Sequence, residues 1–282
     1  MPILTSTIAS AIFGIASSLS WGAGDFSGGL ASRRASAGVL VVIVNVVGVA
    51  LAVILALLAG QPFPPLSAMA WGLAAGIAGA LALVAFYRAL ADGTMGTLAP
   101  VAGVIGAVIP VIFTSITVGL PQTTQIGGFG LALAGVWFVS RTGGAFGISR
   151  PLGYALMAGV GFGCFFVLMG QAKTPSVFWI LTASKSSSAI TMLIPAVLTR
   201  QSWRMPRKEV GLSLVAGVLD LAGNAFFLLA AGAGRLDIAV VLSSLYPGAT
   251  VLLAQIVLKE RMSRTQAWGV VAMLAALPLI VL

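Results

Sequence analysis

Ten runs of apolar residues, each about as long as a lipid bilayer is thick, make up almost the whole chain. They fall at 8–29, 38–59, 68–90, 96–119, 125–140, 151–170, 176–199, 209–231, 238–258 and 265–282. Roughly 20 helical residues cross the ~30 Å hydrocarbon layer, and the fifth and last runs only just reach that length. Charged residues are 7% of the 282, where a soluble domain needs about a quarter. The spacing therefore predicts an all-α membrane protein of ten transmembrane helices. The first run follows no basic stretch and no convincing cleavage signature, so it is read as a retained helix.

The gaps between runs fix an orientation. Arg33, Arg34, Arg141, Arg150, Arg200, Arg204, Arg207, Lys208, Lys259, Arg261 and Arg264 fall in the odd-to-even gaps, and Arg88 at the end of the third run borders another. Lys173 and Arg235 alone fall in the others. Basic loops stay in the cytoplasm. Both termini are therefore expected outside, with the chain multi-pass in the inner (cytoplasmic) membrane. The net charge of +9 comes from these scattered loop residues, so nucleic acid is not an expected partner. With no His and one Cys, Cys164, neither a metal site nor a Ser-His or Cys-His catalytic centre is expected, and no cofactor.

The chain also repeats. Ala85-Phe-Tyr-Arg88 lines up with Ala225-Phe-Phe-Leu228, and Asn45 with Lys185, all 140 positions apart. Thr124-Gln125 lines up with Thr265-Gln266 at 141. The expected units are 1–145 and 146–282, five helices each. An odd number forces the two units to insert in opposite senses. The architecture expected is two inverted five-helix repeats, which is the plan of secondary transporters with a binding site near the midplane.

Certain residues then resemble a known family. They are Trp21-Gly22, Tyr87-Arg-Ala-Leu90, Ala99-Pro100 with Pro110, Ser243-Ser-Leu-Tyr-Pro247, Leu258-Lys-Glu-Arg261 and Gln266-Ala-Trp-Gly269. With them the chain resembles the drug/metabolite transporter superfamily, in its ten-helix EamA-like branch, along nearly its whole length. The resemblance implies two inverted repeats around a central cavity. It also implies a carrier of small metabolites such as amino acids, often an exporter in bacteria. One departure concerns Gly119-Leu120, which stand where the second half has Lys259-Glu260; no acidic role carries over to helix four.

Deep polar residues mark the expected site. Lys185 lies about nine residues, or ~14 Å, into helix seven. An ammonium group there costs at least ~2.5–3.5 kcal/mol unless a cavity or partner receives it. It is read as a ligand for a substrate carboxylate or phosphate, a structural ion pair being the other reading. The resemblance adds a basic residue that the family often carries near this place. Asp220 reaches a similar depth from the other direction, as partner of Lys185 or as a proton carrier, and a firm pair would resist protonation. Asn224 sits one turn beyond Asp220. Asn45, Trp21, Tyr87 and Tyr246 complete the expected substrate-binding set, while Trp179 is read as belonging to an interfacial belt. Asp25 is a second possible proton-coupling residue, although its position reads as interfacial. Glu260, among Lys259, Arg261 and Arg264, reads as a solvated or salt-bridged cluster. Pro100, Pro110, Pro195 and Pro247 are candidate hinges. The expected partners are a small molecule, the bilayer and a proton gradient, with the chain a monomer or homodimer.

Three rivals stand beside this reading. The same fold could expel cationic drugs. A small-molecule channel or a non-transporting scaffold is the next, but a channel needs a continuous polar lining or a ring of charges, and too few polar residues lie at midplane depth for a wide pore. Gly22-Ala-Gly-Asp25 matches the G-x-G-D string of intramembrane aspartyl proteases, whose chemistry needs two carboxylates at one depth. Asp25 reads as too close to the membrane face to meet Asp220.

Overall fold

A computed structural model describes residues 2–117, 122–140, 149–233 and 242–281. These form ten helices: α1 Pro2–Ser32, α2 Ala37–Leu58, α3 Leu66–Asp92, α4 Met95–Thr117, α5 Thr123–Ser140, α6 Arg150–Gln171, α7 Val177–Leu198, α8 Arg207–Gly232, α9 Tyr246–Val257 and α10 Arg264–Val281. No strand occurs among the described residues. Six helices, α2, α3, α4, α6, α7 and α8, are long and apolar enough to cross a membrane, and two shorter apolar helices follow at Leu242–Val257 and Arg264–Ile280. The chain is a multi-pass membrane protein.

Burial runs opposite to that of a soluble fold. Ile8, Ile12, Ile15 and Leu19 form an exposed stripe on α1, at the spacing of one helix face. The interior is instead rich in small and hydroxyl residues. Ser10 and Ser17 donate across to the carbonyls of Ala230 and Gly223, tying α1 to α8. A Cβ at Gly76 would lie 2.0 Å from the Ser184 carbonyl oxygen, so only glycine lets α3 approach α7 this closely.

The closest packing crosses the middle of the chain. The main partners are α1 with α8, α3 with α6, α5 with α10, α2 with α7, α4 with α6, α3 with α7, α2 with α8 and α1 with α9. The two halves interleave rather than sit side by side.

Hydrogen bonds between loops define the two ends of the bundle. At one end Arg33 meets Glu260, Arg34 meets Glu209, and Ser36 meets Gln201. Pro151 lies against Gly93 at this same end. This is the basic end. At the opposite end Ser176 donates to the Pro62 carbonyl, and Trp179 to that of Gln61. Toward the basic end Phe86, Tyr87, Leu90 and Met95 are fully buried.

Helix nine differs from expectation. Instead of an unbroken 238–258, a helical turn at Leu242–Ser244 stops at Leu245, and α9 starts at Tyr246. Pro247 is the cause: in the first turn its missing N–H costs nothing and its ring pre-sets φ. Residues 234–241 and 141–148, with Arg235 and Arg141, lie outside the described residues, as do Gly119 and Leu120.

Candidate functional site

Midway along the bundle, α1, α2, α3, α6, α7, α8 and α9 enclose a cavity of about 750 Å³, its opening included. Its wall contains Trp21, Asp25, Asn45, Ser184, Lys185, Ser188, Asp220, Asn224 and Tyr246. Six of the seven residues expected to bind substrate are therefore together.

Lys185 donates from Nζ to Asp220 Oδ2. The ammonium is the more enclosed partner, its side chain 10% exposed against 29% for Asp220. The pair joins α7 to α8. Gly48 on α2 makes room for the lysine stem, since a Cβ there would lie 3.2 Å from Lys185 Cδ. Asn224 donates to the Asp220 backbone carbonyl at 2.7 Å, and Asn45 to that of Val41 at 2.8 Å. Both amides are thus braced by their own helices.

Trp21 and Tyr246 meet edge to face, with centroids 6.0 Å apart, and Trp21 also contacts Phe227 at 6.2 Å. Beyond these rings the cavity continues into an apolar chamber of about 1290 Å³, its opening included, walled by the later turns of α4, α6 and α8 and the first turns of α7 and α9. Those turns lie toward the end opposite the basic loops.

Tyr87 does not join the wall. It is 2% exposed, sits against Gly28 and belongs to the packed layer near the basic end. Its place in the sequence is right, but its face is turned into α1. Trp179 lies at the end opposite the basic loops, stacked on Phe63 with centroids 5.5 Å apart.

Asp25 departs further from its expected place. It lines the central cavity with Asp220 instead of the membrane face. The reason is the length of α1, which runs on to Ser32. That puts Asp25 about 10 Å in from the helix end. The two carboxylates thus share one cavity after all. They do not form a proton-sharing dyad, because Asp220 already holds the Lys185 ammonium.

Other wall residues escaped the sequence reading. Phe162, Phe165 and Phe166 face the cavity from α6, and Ser184 and Ser188 flank Lys185. The i, i+3, i+4 spacing of the first three and the i, i+4 spacing of the serines were the available signals.

Glu260 is salt-bridged, as one of its two readings had it, but it is also largely enclosed, at 12% exposure. It accepts from Arg33 Nη2 at 3.1 Å, from Met95 N–H at 3.2 Å and from Gly96 N–H at 3.0 Å. One carboxylate thus caps α4 and holds the α1–α2 loop.

Residues 150–282 match the model of the EamA-like transporter family. This second-half segment is what ties the chain to that family. That family is part of the drug/metabolite transporter superfamily, and the match points to a transporter rather than an enzyme. The EamA-like segment supplies Lys185, Asp220, Asn224 and Tyr246, while Trp21, Asp25 and Asn45 come from the half before it. No curated protein matches the chain. A solved structure described as "Crystal structure of protein" is similar at 18% identity, with a TM-score of 0.64 over 96% of both chains. That likeness is one of fold.

Proposed function

We propose that this EamA-like chain is a secondary carrier that exports a small organic metabolite across the cytoplasmic membrane by alternating access. The observation that carries the reading is a polar cavity at mid-bundle, leading into a chamber toward one end while the basic end is packed and cross-linked.

The proposed engine is a pair of inverted five-helix repeats. Shifting every helix number by five turns α1 with α8 into α6 with α3, α1 with α9 into α6 with α4, and α2 with α8 into α7 with α3. All of these partners occur, and α2 with α7 and α5 with α10 map onto themselves. Local detail supports the same shift. α2 and α7 begin and end 140 positions apart. Both close with the same bonds: Gln61 N–H to Ala56 and Gln201 N–H to Ala196, at 3.0 and 2.9 Å. Gln122 N–H meets Gln125 Oε1 before α5, as Ser263 N–H meets Gln266 Oε1 before α10, both at 3.0 Å.

The basic end is taken as cytoplasmic, with both termini outside. In this conformation the chamber then faces outward, and the cytoplasmic entrance is held shut around Arg33 and Glu260. Export is the direction carried by the family resemblance. Substrate polar groups would meet Asp25, Asn45, the Lys185–Asp220 pair and Asn224. Proton coupling falls on Asp25 rather than Asp220, because an ammonium-paired carboxylate resists protonation.

Counterflow in proteoliposomes tests the carrier. Internal unlabelled substrate should drive transient accumulation of labelled substrate inside the vesicles, against the label's own gradient, and a channel cannot do this. Labelled flux that only equilibrates would end the carrier reading.

A further inference from the structure

The strap between α7 and α8, residues 199–206, lies at the basic end and carries charge that the fold leaves uncompensated. Arg200, Arg204, Arg207 and Lys208 are all exposed, within nine residues of one another. None of these four side chains pairs with an acid among the described residues. The one acid beside them, Glu209, is turned inward: its side chain is 4% exposed and lies 3.9 Å from Arg34 Nη1. Charge is thus sorted, with the acid on the α1–α2 loop and the cations on the outer rim. The start of α8 adds to the demand for an anion. Arg207 and Lys208 stand in its first turn, at the positive end of the helix dipole. Among the described residues no side chain accepts from the N–H groups of that turn. The start of α10 differs. Lys259, Arg261 and Arg264 adjoin it in sequence, but Ser263 Oγ already accepts from Gln266 N–H there.

The surroundings select which anion. Ile190, Ile194 and Val197 form an exposed apolar stripe along the last turns of α7, and Val210, Leu214 and Val218 form another along the first turns of α8. Trp203 is exposed in the strap between them, and an indole suits the level of the lipid headgroups. Cations set over two apolar stripes match a phosphate that is joined to acyl chains. A soluble phosphate would use the cations alone. The strap is also fastened in place, because Gln201 accepts from Ser36 Oγ at 2.8 Å and donates from its N–H to the Ala196 carbonyl at 2.9 Å.

We propose that the strap binds an anionic phospholipid of the adjoining leaflet, with the phosphate among Arg200, Arg204, Arg207 and Lys208 and the acyl chains along α7 and α8. This site lies apart from the central cavity, and it stands whatever the carrier moves.

The test titrates the purified full chain, in a neutral detergent, with three probes: short-chain phosphatidylglycerol, phosphatidylcholine of the same chain length, and glycerol 3-phosphate. Native mass spectrometry reads the bound fraction. Phosphatidylglycerol should bind at least about tenfold more tightly than either of the others. Raising the salt to about 0.5 M should remove most of that preference. Arg200→Gln, Arg204→Gln, Arg207→Gln and Lys208→Gln together should abolish it. Lys259→Gln, Arg261→Gln and Arg264→Gln together should leave most of it, because the capped start of α10 has less need of an anion. Phosphatidylcholine binding as tightly would mean that charge is not recognised. Glycerol 3-phosphate binding as tightly would make this a site for soluble phosphate. Equal losses in the two combined variants would mean a diffuse basic surface instead of a site. Each of these results overturns the proposal. The ranking of the three probes on the unaltered protein stands even if a variant fails to fold.

Discussion

Arg33 and Glu260, 227 positions apart, meet at 3.1 Å where the α1–α2 loop crosses the start of α4. The same carboxylate accepts the Met95 and Gly96 N–H groups. Three segments therefore depend on one side chain at the end where the bundle is closed. Glu260→Ala leaves two helix N–H groups and one guanidinium without their acceptor, a loss of about 1–3 kcal/mol. If this contact latches the cytoplasmic entrance, its loss opens the basic end. In a Cys164→Ser background, Ser27→Cys should then react faster with a charged maleimide applied from the basic side. Unchanged labelling would mean that Glu260 is only a helix cap.

The Lys185–Asp220 pair gives a second expectation. Removing one partner strands the other charge inside the bundle, which costs about 3–5 kcal/mol, whereas replacing both with apolar residues of similar size is often close to neutral. Lys185→Met and Asp220→Leu alone should each lower the thermal unfolding temperature. The double variant should recover most of the loss. Additive losses in this cycle would mean that the two side chains act independently.

Gly76 tests the packing of α3 on α7. A Cβ there would meet Ser184 O and Ser187 Oγ, both at 2.0 Å. The first is backbone and cannot rotate away. Gly76→Ala should cost about 1–3 kcal/mol, as overpacking does. Gly127 has nothing within 4 Å of its Cβ position, and Gly127→Ala should be tolerated. Equal melting curves for the two variants would remove the close approach.

How much of this was legible before the fold differs from residue to residue. Helix two was expected at 38–59 and spans Ala37–Leu58; helix seven was expected at 176–199 and spans Val177–Leu198. Long apolar runs between charged gaps leave the backbone few alternatives. The depth of Lys185 was equally readable, since position along a helix is depth. Faces were not. Tyr87 was expected in the cavity because helix three is apolar all round, and hydropathy then says nothing about which side looks inward. Asp25 was misplaced because the end of the first apolar run was taken as the end of the helix, while α1 continues to Ser32. Phe165 and Phe166 passed unnoticed for the opposite reason: in lipid an apolar residue is unremarkable on any face.

The matched ends of α2 and α7 allow a test of the repeat itself. Both helices close on a residue with positive φ, Gly60 at 58° and Arg200 at 51°. That backbone suits glycine and strains arginine. Gly60 has nothing within 4 Å of where a Cβ would sit, so Gly60→Ala meets no steric clash and reports the backbone alone. It should destabilise by about 1 kcal/mol, while Arg200→Gly should stabilise by a similar amount or less. Thermal unfolding in one detergent measures both. Two equivalent caps must answer with opposite signs, because one already holds the residue the geometry favours and the other does not. Shifts of the same sign would mean that the two turns are not the same structure, and the repeat would lose its most local support.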